Sequence, residues 1–138
     1  MRQSGFHILR VGIGITFLWI GVLILKDTNS FSALIEPWVL NIIGHFTNNV
    51  DKFLQTMMIE IAFFDLAVGF LLLINRFVFL AALLGALHLL TILTSTAILA
   101  TVRDIGLLSA TVALMLNTLP YPFVWPTTLK GWVKLVLS

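Results

Sequence analysis

Four apolar stretches, at residues 8–25, 57–74, 77–102 and 105–119, constrain this chain more than any other feature. A hydrocarbon core about 30 Å thick is crossed by about 20 helical residues, with a usual range of about 17 to 25. Three of the stretches reach that length; the fourth is short, although it runs on into Tyr121, Phe123 and Trp125. With 59% hydrophobic and 10% charged residues and a mean hydropathy of +1.07, the chain lies far from the soluble average of roughly half apolar and about a quarter charged. No long Pro/Gly/Ser-rich or charged segment divides the 138 residues. The expectation is one membrane domain, an all-α antiparallel bundle of four transmembrane helices.

Arg2 and Arg10 ahead of an apolar run resemble a signal peptide. The run ends on Lys26-Asp27-Thr28 rather than on a small-residue cleavage site, so it is read as a retained first span. After Leu119, Pro120-Tyr121-Pro122 stops the last helix. Trp125, Lys130, Trp132 and Lys134 then suit a tail, 120–138, lying in the headgroup region. With the N-terminus cytoplasmic, the inner side carries Arg2, Arg10, Arg76, Lys130 and Lys134 and the outer side Lys26, Lys52 and Arg103. That balance points to both termini inside; the expected location is the cytoplasmic (inner) membrane of a bacterium or archaeon.

The long connection, 26–56, predicts one amphipathic helix at the outer surface. Pro37 suits a first helical turn, Trp38, Ile42 and Phe46 repeat at helical spacing, Asn41 and His45 take the other side, and Thr47-Asn48-Asn49 ends it. It reads as an interfacial strut, or as a lid over a ligand pocket. Stripes of small residues mark where spans approach: Gly14 and Gly21; Asp65 and Gly69; Ala81, Gly85 and His88; Gly106, Ala110, Ala113 and Asn117.

Ionisable groups in lipid are costly and need a partner or a wet cavity. Counted along the helix rise, Trp19 lies about nine residues from Arg10, Asp65 about ten from Asn75, and His88 about twelve from Arg76, all near mid-depth. Asp65 and His88 at one depth can pair, and the Trp19 indole N–H needs an acceptor there. These three are the candidates for a ligand or proton-relay site; the alternative is a pair that merely pins two spans together. A second set lies toward the outer face: Lys26, Glu60, and Arg103 with Asp104, the last two expected in a tight turn between spans three and four. Glu60 is expected to pair with Arg103 or, failing that, Lys26. Arg10, Arg76 and Asn117 form an inner polar set. Thr91, Thr94, Ser95 and Thr101 are expected to bond back to their own helix carbonyls, with a hydrophilic pathway as the alternative.

Several chemistries are excluded. The sequence has no Cys, so disulfides, thiolate metal sites and thiol redox steps are absent. A haem held by two histidines at matching depth fails, because His7 and His45 fall at the surface. No phosphate-cradling glycine loop, HExxH pair or nucleophile elbow occurs, no metal site is expected, and a net charge of +2 does not suggest nucleic acid.

The first span, from Leu9-Arg10 through Gly14 and Phe17-Leu18-Trp19-Ile20-Gly21 to Lys26, resembles the opening of the DoxX-like superfamily of small four-span membrane proteins. Glu60, Gly69, Leu71-Leu72-Leu73 and Asn75-Arg76 resemble its second span, and Arg103-Asp104-Ile105-Gly106-Leu107-Leu108 the start of its fourth. By that resemblance Arg10, Lys26, Glu60, Arg103 and Asp104 are the family's shared polar positions. Members are associated with quinone-linked thiosulfate oxidation, membrane oxidoreductase complexes and resistance to oxidants such as reactive chlorine. Asp65 departs from the pattern, at a place expected to be apolar or small.

The expected function is therefore a membrane subunit linked to quinone or oxidant-stress metabolism, more an accessory subunit than a stand-alone enzyme. It would offer a lipophilic pocket around Asp65, His88 and Trp19, with no covalent cofactor and with quinone as the candidate ligand. A small proton-coupled transporter and a structural anchor remain the alternatives. Expected partners are the lipid bilayer and either further copies of the chain or oxidoreductase subunits.

Overall fold

The computed structural model describes residues 3–95 and 98–119, with side chains at 4–95 and 104–119. The chain is all-helical: α1 (Gln3–Lys26), α2 (Thr28–Ser32), α3 (Pro37–Phe46), α4 (Val50–Leu73), α5 (Val78–Ser95) and α6 (Ile98–Thr118). Of these, α1, α4 and α5 are long and apolar enough to cross a membrane, and α6 is apolar but shorter over its fully described part, Asp104–Thr118. The tail expected at the headgroups, 120–138, lies outside the described residues.

Glycine lets α1 and α4 meet backbone to backbone. A Cβ on Gly69 would stand 2.7 Å from the Gly14 carbonyl oxygen and 2.9 Å from the Leu18 nitrogen, and one on Gly21 would stand 2.8 Å from the Ala62 oxygen. In lipid no hydrophobic force pushes helices together, so this close van der Waals fit is what associates them. The expected stripe on α6 is not used in this way. Gly106 has open space where a Cβ would go, and the buried face of that helix is instead Asp104, Thr111 and Leu114.

The end of α4 is completed by its neighbour in space. Asn75 takes φ 57°, a left-handed conformation that Asn tolerates. The Asn75 and Arg76 amides then bond back to the Leu72 and Leu71 carbonyls at 3.4 Å each. Arg10 of α1, only 7% exposed, donates to the Leu72 oxygen and, at 3.1 Å, to the Leu73 oxygen. A cation thus sits at the negative end of the helix dipole, where the last carbonyls otherwise lack donors. Arg10, expected in an inner polar set with Arg76 and Asn117, is a buried clamp on α4.

Three boundaries differ from the apolar pattern. First, α5 ends at Ser95 and α6 begins at Ile98, so Arg103 and Asp104 lie within a helix rather than in the expected turn. The reason is the hydroxyl cluster: Thr94 and Ser95 both donate to the Thr91 carbonyl, at 2.8 and 2.7 Å, competing with the helix ladder. Hydropathy is blind to this, because Ala97-Ile98-Leu99-Ala100 continues the apolar run. Second, α4 begins at Val50 instead of 57, since Asn49 caps it by accepting from the Lys52 amide. Third, the outer connection holds two helices. Asp27 caps α2, accepting from the Ser30 hydroxyl at 2.5 Å and its amide at 3.1 Å. Those bonds hold its carboxyl below the ordinary value, so the cap is present at neutral pH and is lost as pH falls through that lowered pKa.

The helix over Pro37–Phe46 is present, and the bundle buries a residue outside the 38/42/46 stripe. Ile43 is buried with Ile35 and Ile24, while Trp38, Ile42 and Phe46 face outward.

Gly69→Ala is expected to lower stability by about 1–3 kcal/mol, since the backbone atoms it meets cannot give way cheaply. Gly106→Ala is expected to be neutral or stabilising by up to about 1 kcal/mol, from helix propensity alone. Unfolding of both variants in lipid nanodiscs measures the contrast.

Candidate functional site

The core places two polar side chains on facing helices. Asp65 comes from α4, four residues before Gly69 and on the same side of that helix, and is 2% exposed. His88 comes from α5, three residues after Gly85. A Cβ on Gly85 would meet the Phe17 ring at 3.0 Å and Val68 at 3.3 Å, so this glycine is the slot that admits the ring of Phe17 between α5 and α4. Above that ring the Asp65 Oδ1 and His88 Nε2 lie 3.2 Å apart. The Phe64 ring flanks the imidazole with centroids 4.8 Å apart.

The pair opens onto a cavity of about 240 Å³. Phe17, Ile20 and Ile24 of α1 form its floor, and Met57, Met58 and Ile61 of α4 one side. Phe31 of α2 and Leu34, Ile35 and Val39 cover it. The polar part of the lining is Asp65, further along α4, with His88, Thr91 and Ser95 of α5 and Asp104 of α6, and the apolar Leu89 and Ile92 lie among them. The cover is tied down where the Glu36 amide donates to the Ser95 carbonyl at 3.1 Å. The segment expected as a strut or a lid therefore lies over a cavity. An engineered dry cavity of about 150 Å³ admits benzene, so the volume here suits a single substituted ring.

Asp65 and His88 are brought together, at the inward position their helical spacing requires. Trp19 is not with them: it is 65% exposed on the outward side of α1, with Ile8, Ile15 and Val22. The hydrogen-bond argument that placed it in a pocket fails because α1 turns Ile13, Phe17 and Ile24 inward and position 19 lies across the helix from them. Glu60 is exposed on α4, and among the described residues no ion pair joins it to Lys26, which is also exposed. The side chain of Arg103 lies outside the described residues.

Asp104 moves the other way. Expected at the outer mouth, it is 2% exposed and shares the cavity wall with Asp65. Six helical residues precede it in α6, and they carry it down from the helix start. Arg76 is exposed after the α4 end, and Asn117 is exposed with its amide donating to the Ala113 oxygen at 2.8 Å. Thr91 bonds back to the Leu87 oxygen at 3.1 Å, as expected of a membrane threonine. The cavity-lining side chains that the sequence did not single out as site candidates include Phe17 and the cover residues. Their signal is weak: Phe17 shares its outline with many apolar neighbours, and the sequence reading did not use the Asp27–Ser30 spacing that caps α2.

No group of three or more His, Asp or Glu residues among the described residues could hold a metal ion. Compared with known protein families, with curated proteins and with solved structures, the chain gives no match.

A double-mutant cycle of Asp65→Ala and His88→Ala in nanodiscs is expected to show a coupling of about 1–3 kcal/mol in unfolding, because the two groups touch. Trp19→Phe, on the outward side, is expected to couple to neither.

Proposed function

We propose that this chain is a four-span, DoxX-like membrane subunit that binds a small lipophilic ring compound of the quinone class beside the Asp65–His88 pair. The observation that carries the proposal is one contact: a carboxylate and an imidazole 3.2 Å apart on the wall of an otherwise apolar 240 Å³ cavity. Buried ionisable groups within a membrane span are a default mark of function. A histidine near a ligand's oxygen can give or take a proton at neutral pH, and the paired carboxylate orients the ring and steadies its charged form.

The antiparallel four-helix arrangement is supported by register. Gly14 opposes Gly69 and Gly21 opposes Ala62, so α1 and α4 count in opposite directions. A four-residue turn joins α4 to α5, and α6 packs back on α5 and α1 as the fourth, short span. Loop charge supports both termini on the cytoplasmic side. Arg10, Lys26, Glu60, Arg103 and Asp104 match the family's shared polar positions. Of these, Arg10 and Asp104 are buried among the described residues, a structural place that does not by itself require chemistry. Ring binding in a chain without cysteine suits a subunit that presents a quinone-class molecule to a partner oxidoreductase, in oxidant-linked metabolism.

Protein purified from membranes in mild detergent is expected to carry a quinone-class lipid, detected by mass spectrometry of its extract. Asp65→Asn and His88→Ala are each expected to lose it while helical content is kept. Equal retention by both variants would remove the pair from the binding site.

A further inference from the structure

We infer that the cavity takes a ring compound bearing one hydrocarbon tail, and that the tail leaves along the α4–α5 seam into the bilayer, through a mouth framed by Leu34 and Thr91. This rests on the ring-binding reading above and adds to it the form of the ligand and its route. Volume sets the first condition. The space of about 240 Å³ exceeds the roughly 150 Å³ that admits benzene by too little for a second ring. A chain of more than a few carbons attached to the bound ring must therefore lie outside.

Burial sets the second condition, because it shows where the lining is closed. Phe17 and Ile24 of α1, Met58 of α4 and Leu89 of α5 are buried, as are Asp65, Asp104 and, in the cover, Ile35. Of the described lining residues, Leu34 of the cover and Thr91 of α5 are the two that are exposed. Leu34 lies two residues before Glu36 and Thr91 one helical turn before Ser95, so both adjoin the bond from the Glu36 amide to the Ser95 carbonyl, where cover meets α5. His88 reaches across to Asp65 of α4, and Thr91, three residues further on, shares that side of α5. On α4 the half-buried Ile61, one turn before Asp65, lines the same space. The gap thus runs along the seam between the two helices.

The third condition is what lies outside. α5 is long and apolar enough to span a membrane, and Leu87 and Leu90, beside Thr91 on its surface, are exposed. With α5 in a bilayer, the mouth meets hydrocarbon. The rim hydroxyls have their protons placed within their own helix. Thr91 donates to the Leu87 carbonyl at 3.1 Å, and Thr94 and Ser95 donate to the Thr91 carbonyl at 2.8 and 2.7 Å. Threonine and serine bonded back in this way are compatible with lipid. A tail passes from ring to bilayer without crossing water and without breaking the tie that holds the cover. A polar substituent in its place would be left in hydrocarbon, which penalises it.

The test is photolabelling of the full chain in nanodiscs. The probe is a trimethylbenzoquinone whose remaining ring position carries a decyl chain, with a diazirine at the ring end of that chain, and peptide mass spectrometry locates the adducts. The expected result is adducts on Leu34, Ile61 or Thr91, lost when untailed trimethylbenzoquinone is present in saturating excess. Adducts that the competitor removes but that fall elsewhere, on Phe17, Ile20 and Ile24 of the floor or on Trp38 outside the cover, overturn the mouth and leave ring binding standing. Adducts that the competitor leaves unchanged, or no adducts at all, overturn both.

Discussion

The contact on which the rest of this molecule depends is the backbone approach of α1 to α4. Where a Cβ on Gly69 would collide with the Gly14 carbonyl, two helices come closer than side chains normally allow, and their register is fixed by that fit. Once it is set, Arg10 reaches the last carbonyls of α4, and Phe17 projects into the slot at Gly85. Asp65, one turn before Gly69, then has a single inward direction to take. A carboxylate there must find a partner or lose its charge, because hydrocarbon cannot solvate it. The imidazole of His88 supplies that partner from α5.

The cavity is a consequence of the same packing. Phe17 fills the centre below the pair, and the cavity opens beside the Gly21–Ala62 approach, between α1, α4 and α5. The cover formed by α2, α3 and the residues between them closes this space with apolar groups, while its outward stripe of Trp38, Ile42 and Phe46 stays unburied by the chain. One amphipathic segment thus serves the cavity with one face and has an apolar face left for lipid, which is how an interfacial helix is held. The strut and lid expectations are two faces of the same element.

Much of the fold could be read from the residues, for physical reasons that also explain the errors. Length and apolarity located α1, α4 and α5, since span length is set by the bilayer and not by neighbours. Asp65 and His88 were paired correctly because depth and helical phase can be counted from flanking polar residues. The small residues at 14, 21, 69 and 85 marked real approaches, but Gly106 did not: a glycine's role depends on what opposes it, and that is not local. Trp19 and Asp104 were misplaced for related reasons. Satisfying a hydrogen bond does not say which way a helix is rotated, and the α5–α6 boundary was decided by hydroxyls bonding backward, which hydropathy does not register. The clamp made by Arg10 was not legible because the α4 carbonyls that hold it lie 62 and 63 residues away in sequence.

The central claim is that α1 and α4 stand in hydrocarbon with Ile15, Trp19, Phe63 and Phe70 turned to lipid and Asp65 turned away from it. A chain without cysteine allows this to be measured directly, by placing one spin-labelled cysteine at a time in otherwise unchanged protein in liposomes. Collisions with oxygen, which concentrates in lipid, should dominate at the four outward positions, and both oxygen and a water-soluble nickel complex should be slow to reach a label at position 65. Nickel-dominated collisions at the outward positions would put those faces in water and contradict the account.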